Sequence, residues 1–267
     1  VSSSFDVAAF HALRTARGVA LGSTVWAFQS TASTNDLALS AARAGEPHGL
    51  VIVADAQTEG RGRQGRTWHS PPEENLLVSI LLRPTLPLAD APLLALAVGL
   101  ALRSAVAGII GERSDLGIKW PNDLLCDGRK LAGVLIETQA QGGELLGVVI
   151  GIGLNLGTRV FPPELSATAT SLSLLGAEDA SREAVLVSVL AEVDRAVHTL
   201  ETGGRAALVP ELLRYDVLRG RRVNVEGVLG RAEGIDVNGR LLVRDSLGHQ
   251  HSLVSGHVII QGDDPDE

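Results

Sequence analysis

Apolar positions along the chain change their spacing three times. Between about residues 50 and 157 they form short continuous runs broken by turns. Leu50 to Ala54, Leu76 to Leu82, Ile118 to Trp120, Leu124 to Cys126, Leu131 to Glu137 and Leu145 to Leu156 each have the length and bounding residues of a buried strand. Asp127-Gly128 predicts a tight hairpin, and Gln141-Gly142-Gly143 a second turn. Helical spacing governs other stretches. Residues 1–25 read as a short helix and a connector. Leu37 to Ala44 is a helix introduced by Ser33-Thr34-Asn35, where a hydroxyl supplies the usual N-cap. Ser181 opens a helix to about Glu201, and another runs from about Arg205 to Leu218. The most apolar run is Ala91 to Ile110. Pro92 follows Asp90 as a first helical residue, Arg103 lies inside, and Gly111-Glu112-Arg113 ends it, so it reads as a buried core helix and no membrane is expected. From Arg221 the spacing changes again, to short β segments at Arg222–Val225, Val228–Asp236, Leu241–Asp245, His251–Val254 and His257–Ile260. Asn238-Gly239 and Leu247-Gly248 are their turns, and together they predict a small five-stranded barrel.

Length adds a division: 267 residues suit one large unit over 1–218 and a small one over 219–267. Hydrophobic content of 45% and charged content of 20% are those of a soluble globular protein. A net charge of −8 argues against a dedicated nucleic-acid binder. The single cysteine, Cys126, excludes an intrachain disulfide, fits a reducing cytoplasm, and lies in an apolar stretch that suggests an inert, packed thiol. No secretory signal pattern opens the sequence. There is no P-loop, no zinc spacing and no serine elbow. His249 and His251 share one face of a short strand without further ligands and read as surface residues.

Two segments carry chemistry. The chain has only two lysines, Lys119 and Lys130, against 21 arginines. They enclose Lys119-Trp120-Pro121-Asn122-Asp123 and Lys130-Leu131-Ala132-Gly133, so a hairpin can bring an ammonium, an amide and a carboxylate together. Such a set suits an anionic substrate or a Mg²⁺–nucleotide. The second segment, Gly60-Arg61-Gly62-Arg63-Gln64-Gly65-Arg66, interleaves three glycines with three arginines. Glycine allows close backbone approach and arginine offers bidentate donors, so the loop is suited to fold around an anion and to order when the anion arrives. Trp68 adds a flat face. Gly151-Ile152-Gly153-Leu154-Asn155 fails as a dinucleotide fingerprint, because glycine is missing at 156 and no helix follows; it reads as a strand whose glycines clear room for a flat ligand.

Taken together, Ser33-Thr34-Asn35, Gln57 with Gly60 to Trp68, Lys119 to Asp123, Lys130 to Gly133 and Gly151 to Asn155 resemble the biotin protein ligases in order and spacing, over about residues 30–157. The resemblance implies an α+β fold: a mixed β-sheet flanked by helices, class II synthetase-like, with a small SH3-like C-terminal β-barrel. It implies activation of biotin by ATP as biotinyl-5′-AMP, with Mg²⁺, and transfer to a lysine of a biotin carboxyl carrier domain. Only about 30 residues precede Ser33, so the monofunctional class is expected and DNA is not. Sheet-mediated dimerisation in some relatives leaves a homodimer open.

The implied roles follow the chemistry. Ser33, Thr34, Asn35 and Gln57 would meet the ureido ring, while Gly60, Gly133, Gly151 and Gly153 complete the biotin site. Lys130 would bridge the biotin carboxylate and the phosphate, with Arg61 and Arg63 closing over both. Trp68 would stack on adenine, and Lys119, Asn122, Asp123 and Asn155 would serve the nucleotide, Asp123 also through Mg²⁺. Lipoate or octanoate ligation, an RNA-binding module using Arg61, Arg63 and Arg66, and a ligand-sensing relative without catalysis are the competing readings.

Overall fold

The computed structural model describes residues 3–87, 90–141 and 144–261. The strand-rich centre forms one seven-stranded sheet. Its members are β1 (Val25–Thr31), β2 (Leu50–Gln57), β3 (Leu76–Leu82), β4 (Leu116–Lys119), β5 (Asp123–Cys126), β6 (Arg129–Gln141) and β7 (Glu144–Leu154), ordered β1-β2-β3-β7-β6-β5-β4. β1 runs parallel to β2 and the other neighbours are antiparallel, so the sheet is mixed as expected. β1 is absent from the sequence reading, which treats the chain up to residue 25 as helix and connector. It is an edge strand that ends in Gln29-Ser30-Thr31, so its apolar signal is short and one side needs no partner. Gly142 and Gly143 of the expected second turn lie outside the described residues.

Strand alternation gives the two faces of the sheet different characters. One face presents Val51, Val53, Val78, Ile80, Val134, Ile150 and Ile152 to the main core. That core is covered by α3 (Ala91–Ile110) and α5 (Arg182–Tyr215), which also pack on each other. α1 (Val7–Ala16), capped by Asp6 through the Ala9 N–H, packs on α5 and buries Phe10. The opposite face carries α2 (Thr34–Arg43), whose Ala38, Ala41 and Ala42 rest on Leu50, Ile52, Leu81 and Val149. Beyond α2 this face has Ser79 paired with Gly151, and Gly133 paired with Gly153. The centre of the sheet thus has a floor of small residues on one side only.

α3 is the one helix among the described residues long and apolar enough to span a membrane, and two thirds of that stretch is buried inside the protein. Its Arg103 is buried, pairs with Glu112 and lies 3.8 Å over the Tyr215 ring. This is the core helix that the flanking signals predicted. α5 joins the two helices expected on either side of Gly204, which breaks it at φ +62°. A short α4 (Pro163–Ser166) follows the central sheet.

The C-terminal strands β8 (Arg222–Val225), β9 (Val228–Ile235), β10 (Leu241–Arg244), β11 (Gln250–Leu253) and β12 (Val258–Ile260) form an antiparallel five-stranded sheet in the order β11-β10-β9-β8-β12. The Asn238-Gly239 turn docks it on the larger unit: Trp120 Nε1 donates to the Gly239 carbonyl at 2.9 Å. A Cβ on Gly239 would fall 2.7 Å from Leu93 Cδ2, so only glycine fits this close approach. His249 and His251 both face the Asp245 carboxylate, at 3.4 and 2.8 Å. Cys126 is buried, and burial raises its thiol pKa, consistent with an inert packing role.

Candidate active site

A cavity of about 490 Å³ opens over the small-residue floor. α2, the glycine–arginine loop, the β4–β5 connection, the first turn of β6 and the last strand of the C-terminal sheet line it. Its volume suits a small-molecule substrate.

At the α2 end the lining groups Ser33, Thr34, Asn35 and Gln57 are neutral, and all but Ser33 are hydrogen-bonded within the protein. Ser33 occupies the N-cap position, but its hydroxyl makes no capping bond; it is buried and lines the cavity. Gln57, at the end of β2, accepts the Thr34 N–H through Oε1 at 2.7 Å, with Thr34 Oγ1 at 3.1 Å from the same oxygen. Ser79 Oγ lies 2.6 Å from Asn35 Oδ1 and 2.8 Å from Thr34 Oγ1. It has one proton to give; donating to the Asn35 carbonyl leaves its lone pairs for Thr34. Asn35 Nδ2 in turn donates to Glu137 at 2.6 Å. Ser79 and Glu137 were not singled out in the sequence. Ser79 did leave a signal, as the lone polar residue inside Leu76-Leu77-Val78-Ser79-Ile80-Leu81-Leu82.

The other end is charged. Lys119 and Asp123 are ladder partners across β4 and β5, and Asp123 faces Gly133 on its other side. Lys130 returns across the Asp127-Gly128 turn, whose φ values are +54° and +68°, and brings Nζ to 2.7 Å from Asp123 Oδ1. The same ammonium lies 5.3 Å above the Trp68 ring. Burial pulls the Lys119 amine below its ordinary pKa, Lys130 and Arg66 add to the effect, and Asp123 opposes it. Arg63 is half-buried; desolvation lowers its proton affinity and the Asp123 charge counters it, but a guanidinium stays charged in either case.

Several expected residues lie where expected but are held for different reasons. The glycine–arginine loop is folded as a small hairpin, with Arg61 bridged to Thr67, Gly62 N–H on the Arg66 carbonyl at 2.7 Å and Trp68 N–H on the Gly60 carbonyl at 3.0 Å. The Arg61 guanidinium forms a two-pronged pair with Asp36 in the first turn of α2, which raises its pKa. The floor glycines make room for side chains of the protein itself. A Cβ on Gly151 would lie 2.2 Å from Asn35 Oδ1, and one on Gly153 2.5 Å from the Trp68 ring. Gly133 sits under the same ring and the Lys130 stem. Asn122 spends its side-chain N–H on the Val134 carbonyl at 2.8 Å, and Asn155 spends its own on the Thr170 carbonyl at 3.0 Å. Both amides fix the backbone around the charged end.

Among the described residues, Asp123 is the sole acid lining a cavity that also holds Arg61, Arg63, Arg66, Lys119 and Lys130. Among the described residues no three His, Cys, Asp or Glu side chains gather as a metal site. The donor set therefore fits a Mg²⁺ carried in on phosphates, which needs one carboxylate at most, and does not fit a resident metal.

A neutral hydrogen-bonding pocket running into a cationic one suits a molecule with a polar head, an apolar body and an acid group that must meet a phosphate. The biotin/lipoate A/B protein ligase family matches residues 27–155, and the biotin protein ligase C-terminal domain matches residues 219–260. The biotin–[acetyl-CoA-carboxylase] ligase of Mycobacterium tuberculosis is 35% identical over 241 residues, 86% of each chain. The chain belongs to the biotin protein ligase family. The bifunctional ligase/repressor BirA of Bacillus subtilis is also 35% identical, over 81% of this chain and 68% of its own length. Among solved structures, the biotin protein ligase from Aquifex aeolicus in complex with biotin and ATP superposes with a TM-score of 0.76 at 26% identity, covering 90% of this chain and 99% of that one. The family's mixed sheet and separate C-terminal β unit are those described above.

Proposed function

We propose that the chain is an ATP-dependent biotin protein ligase. The observation that carries the reading is the meeting, at Lys130, of a neutral hydrogen-bonded end and a cationic end within one cavity. In the first half-reaction a biotin carboxylate oxygen attacks the α-phosphorus of ATP. A new P–O bond forms, the bond to the β-phosphate oxygen breaks, and pyrophosphate leaves. In the second, the neutral ε-amine of an acceptor lysine attacks the acyl carbon. An amide forms, the acyl–phosphate bond breaks, AMP leaves with the electron pair, and the amine's proton is lost to solvent. The acceptor is a lysine of a biotin carboxyl carrier protein, and neither DNA nor a membrane enters the cycle, which is placed in the cytoplasm.

Residue roles follow from position. Thr34, Asn35 and Gln57, backed by Ser79, present fixed donors and acceptors to a ureido ring, with Ser33 beside them. Two anions must meet in the first step, and their repulsion grows as water is excluded. Lys130 can exchange Asp123 for both of them, with Arg63 on the other side. Trp68 offers its ring to adenine over Gly153. These groups lie in the larger unit, read as 1–218, and His257, Val258 and Ile260 of the smaller one, read as 219–267, also line the cavity.

The test is transfer of labelled biotin to a purified carrier domain, with and without ATP and Mg²⁺. ATP-dependent labelling of one carrier lysine is expected. Pyrophosphate exchange stimulated by lipoate or octanoate in place of biotin would move the reading to a neighbouring acid.

A further inference from the structure

His257 belongs to the C-terminal unit yet lines the cavity. It is held from two directions. Val258, next in the chain, pairs with Val225 of β8. The His257 backbone N–H donates to the Glu226 carboxylate at 2.9 Å. Glu226 sits at φ +51° in the β8–β9 turn, where Asn224 Oδ1 accepts the Gly227 N–H at 3.0 Å. The same Glu226 oxygen accepts from Gln64 Nε2 at 3.2 Å. The tip of the glycine–arginine loop, the β8–β9 turn and His257 therefore meet at one point, the place where the smaller unit touches the loop.

Charged groups from three elements act on the imidazole: Arg66 from the loop and Lys119 and Asp123 from the β4–β5 region, which line the same cavity, and Glu226 from its own unit. Partial burial is the largest influence holding its pKa below the ordinary histidine value; Arg66 and Lys119 add to it, and Glu226 and Asp123 oppose it. Nothing in the cycle above gives this side chain a task. It lines one cavity with two cations, Arg66 and Lys119, so a polyanion entering that cavity would meet all three.

We propose that His257 is a nucleotide-binding residue that, with Arg66 and Lys119, contacts the polyphosphate of the incoming ATP. This rests on the adenylating function proposed above and adds a regulatory property to it. A polyphosphate reverses the local field, so the imidazole takes up a proton as the nucleotide enters, and nucleotide affinity gains as pH falls through the range in which the bound imidazole is protonated and the free one is not.

The experiment is calorimetric titration of the full chain with Mg²⁺ and α,β-methylene-ATP, whose carbon bridge cannot break and which therefore cannot adenylate biotin, in two buffers of different ionisation enthalpy near neutral pH. Net proton uptake is expected in the parent. His257→Gln should lose most of that uptake and weaken analogue binding by about tenfold, the worth of one charge-assisted hydrogen bond. His257→Arg should recover affinity without recovering uptake. Biotin affinity should be the same in all three, which also reports that the variants are folded. Equal uptake in the parent and His257→Gln, with or without a loss of affinity, would overturn the role given to His257. Failure of the parent to bind the analogue would instead count against the adenylating function itself.

Discussion

At the Ser33 end of the cavity the polar side chains other than Ser33 already have partners inside the protein. Ser79, Asn35, Thr34, Gln57 and Glu137 hold one another at 2.6–3.1 Å on a rigid strand-and-helix frame. At the Lys119 end the balance differs: among the described lining residues Arg63, Arg66, Lys119 and Lys130 share one carboxylate, Asp123, while Arg61 is paired with Asp36. The first end is pre-organised for a ligand with neutral donors and acceptors, and little has to move when it binds. The second leaves its cations short of counter-charge until an anion arrives, and it sits on a loop and a second unit. On the function proposed above, one cavity combines a pre-organised recognition end with a reaction end that its substrates complete.

Lys130→Arg is the severest test of that contrast. It keeps the charge but replaces a point ammonium by a broad fork beside Trp68 and Gly133. Biotin-dependent ATP–pyrophosphate exchange should fall by about 10²–10³, and near-normal exchange would remove Lys130 from the bridging role. Arg63→Gly comes next. Removing the half-buried guanidinium should raise the release of biotinyl-AMP, on the order of tenfold, and spread label to bystander lysines; retention equal to the parent's would contradict a closing role. Gly153→Ala asks whether the floor matters. A methyl group 2.5 Å from the Trp68 ring must displace it. About 1–3 kcal/mol of stability should be lost by overpacking, and the KM for ATP should rise more than that for biotin.

Ser79→Ala probes the pre-organised end. It leaves the buried Asn35 carbonyl without its donor, at about 1–2 kcal/mol. The KM for biotin should rise while pyrophosphate exchange at saturating biotin stays close to normal. An effect on kcat alone would show that the two ends are not separable. The smallest effect is expected from Asp245→Asn, remote from both. His251, with further hydrogen bonds from the His249 and Leu247 backbone, holds the Asp245 carboxylate down to about 2 from 3.8. Such a depressed carboxylate stabilises the fold above its unfolded value, and the contribution is lost as pH falls through about 2. The variant should therefore flatten the acid limb of a thermal-stability profile and leave both KM values unchanged.

The sequence made the core strands, the buried helix at 91–110 and the C-terminal β pattern legible, because each rests on local periodicity or on a turn such as Asp127-Gly128. It left β1 hidden, since an edge strand with one solvated side needs only a short apolar signal. Site residues followed the same division. Lys130, Asp123 and Gln57 stand out by type and spacing. The partners that fix their neighbours do not: Asp36 pairs with Arg61, Glu226 takes Gln64, and Asn35 and Trp68 occupy the space over Gly151 and Gly153. Those pairings join residues tens to more than a hundred positions apart, and only the folded sheet brings them together.

The chain's two ε-amines line a single cavity, and within these 267 residues every other basic side chain apart from histidine is a guanidinium. Amine-directed reagents therefore find no lysine away from that cavity. The extent to which such a reagent modifies Lys119 and Lys130 becomes a direct record of how full the cavity is, so a mass measurement can serve as an occupancy gauge without an engineered label.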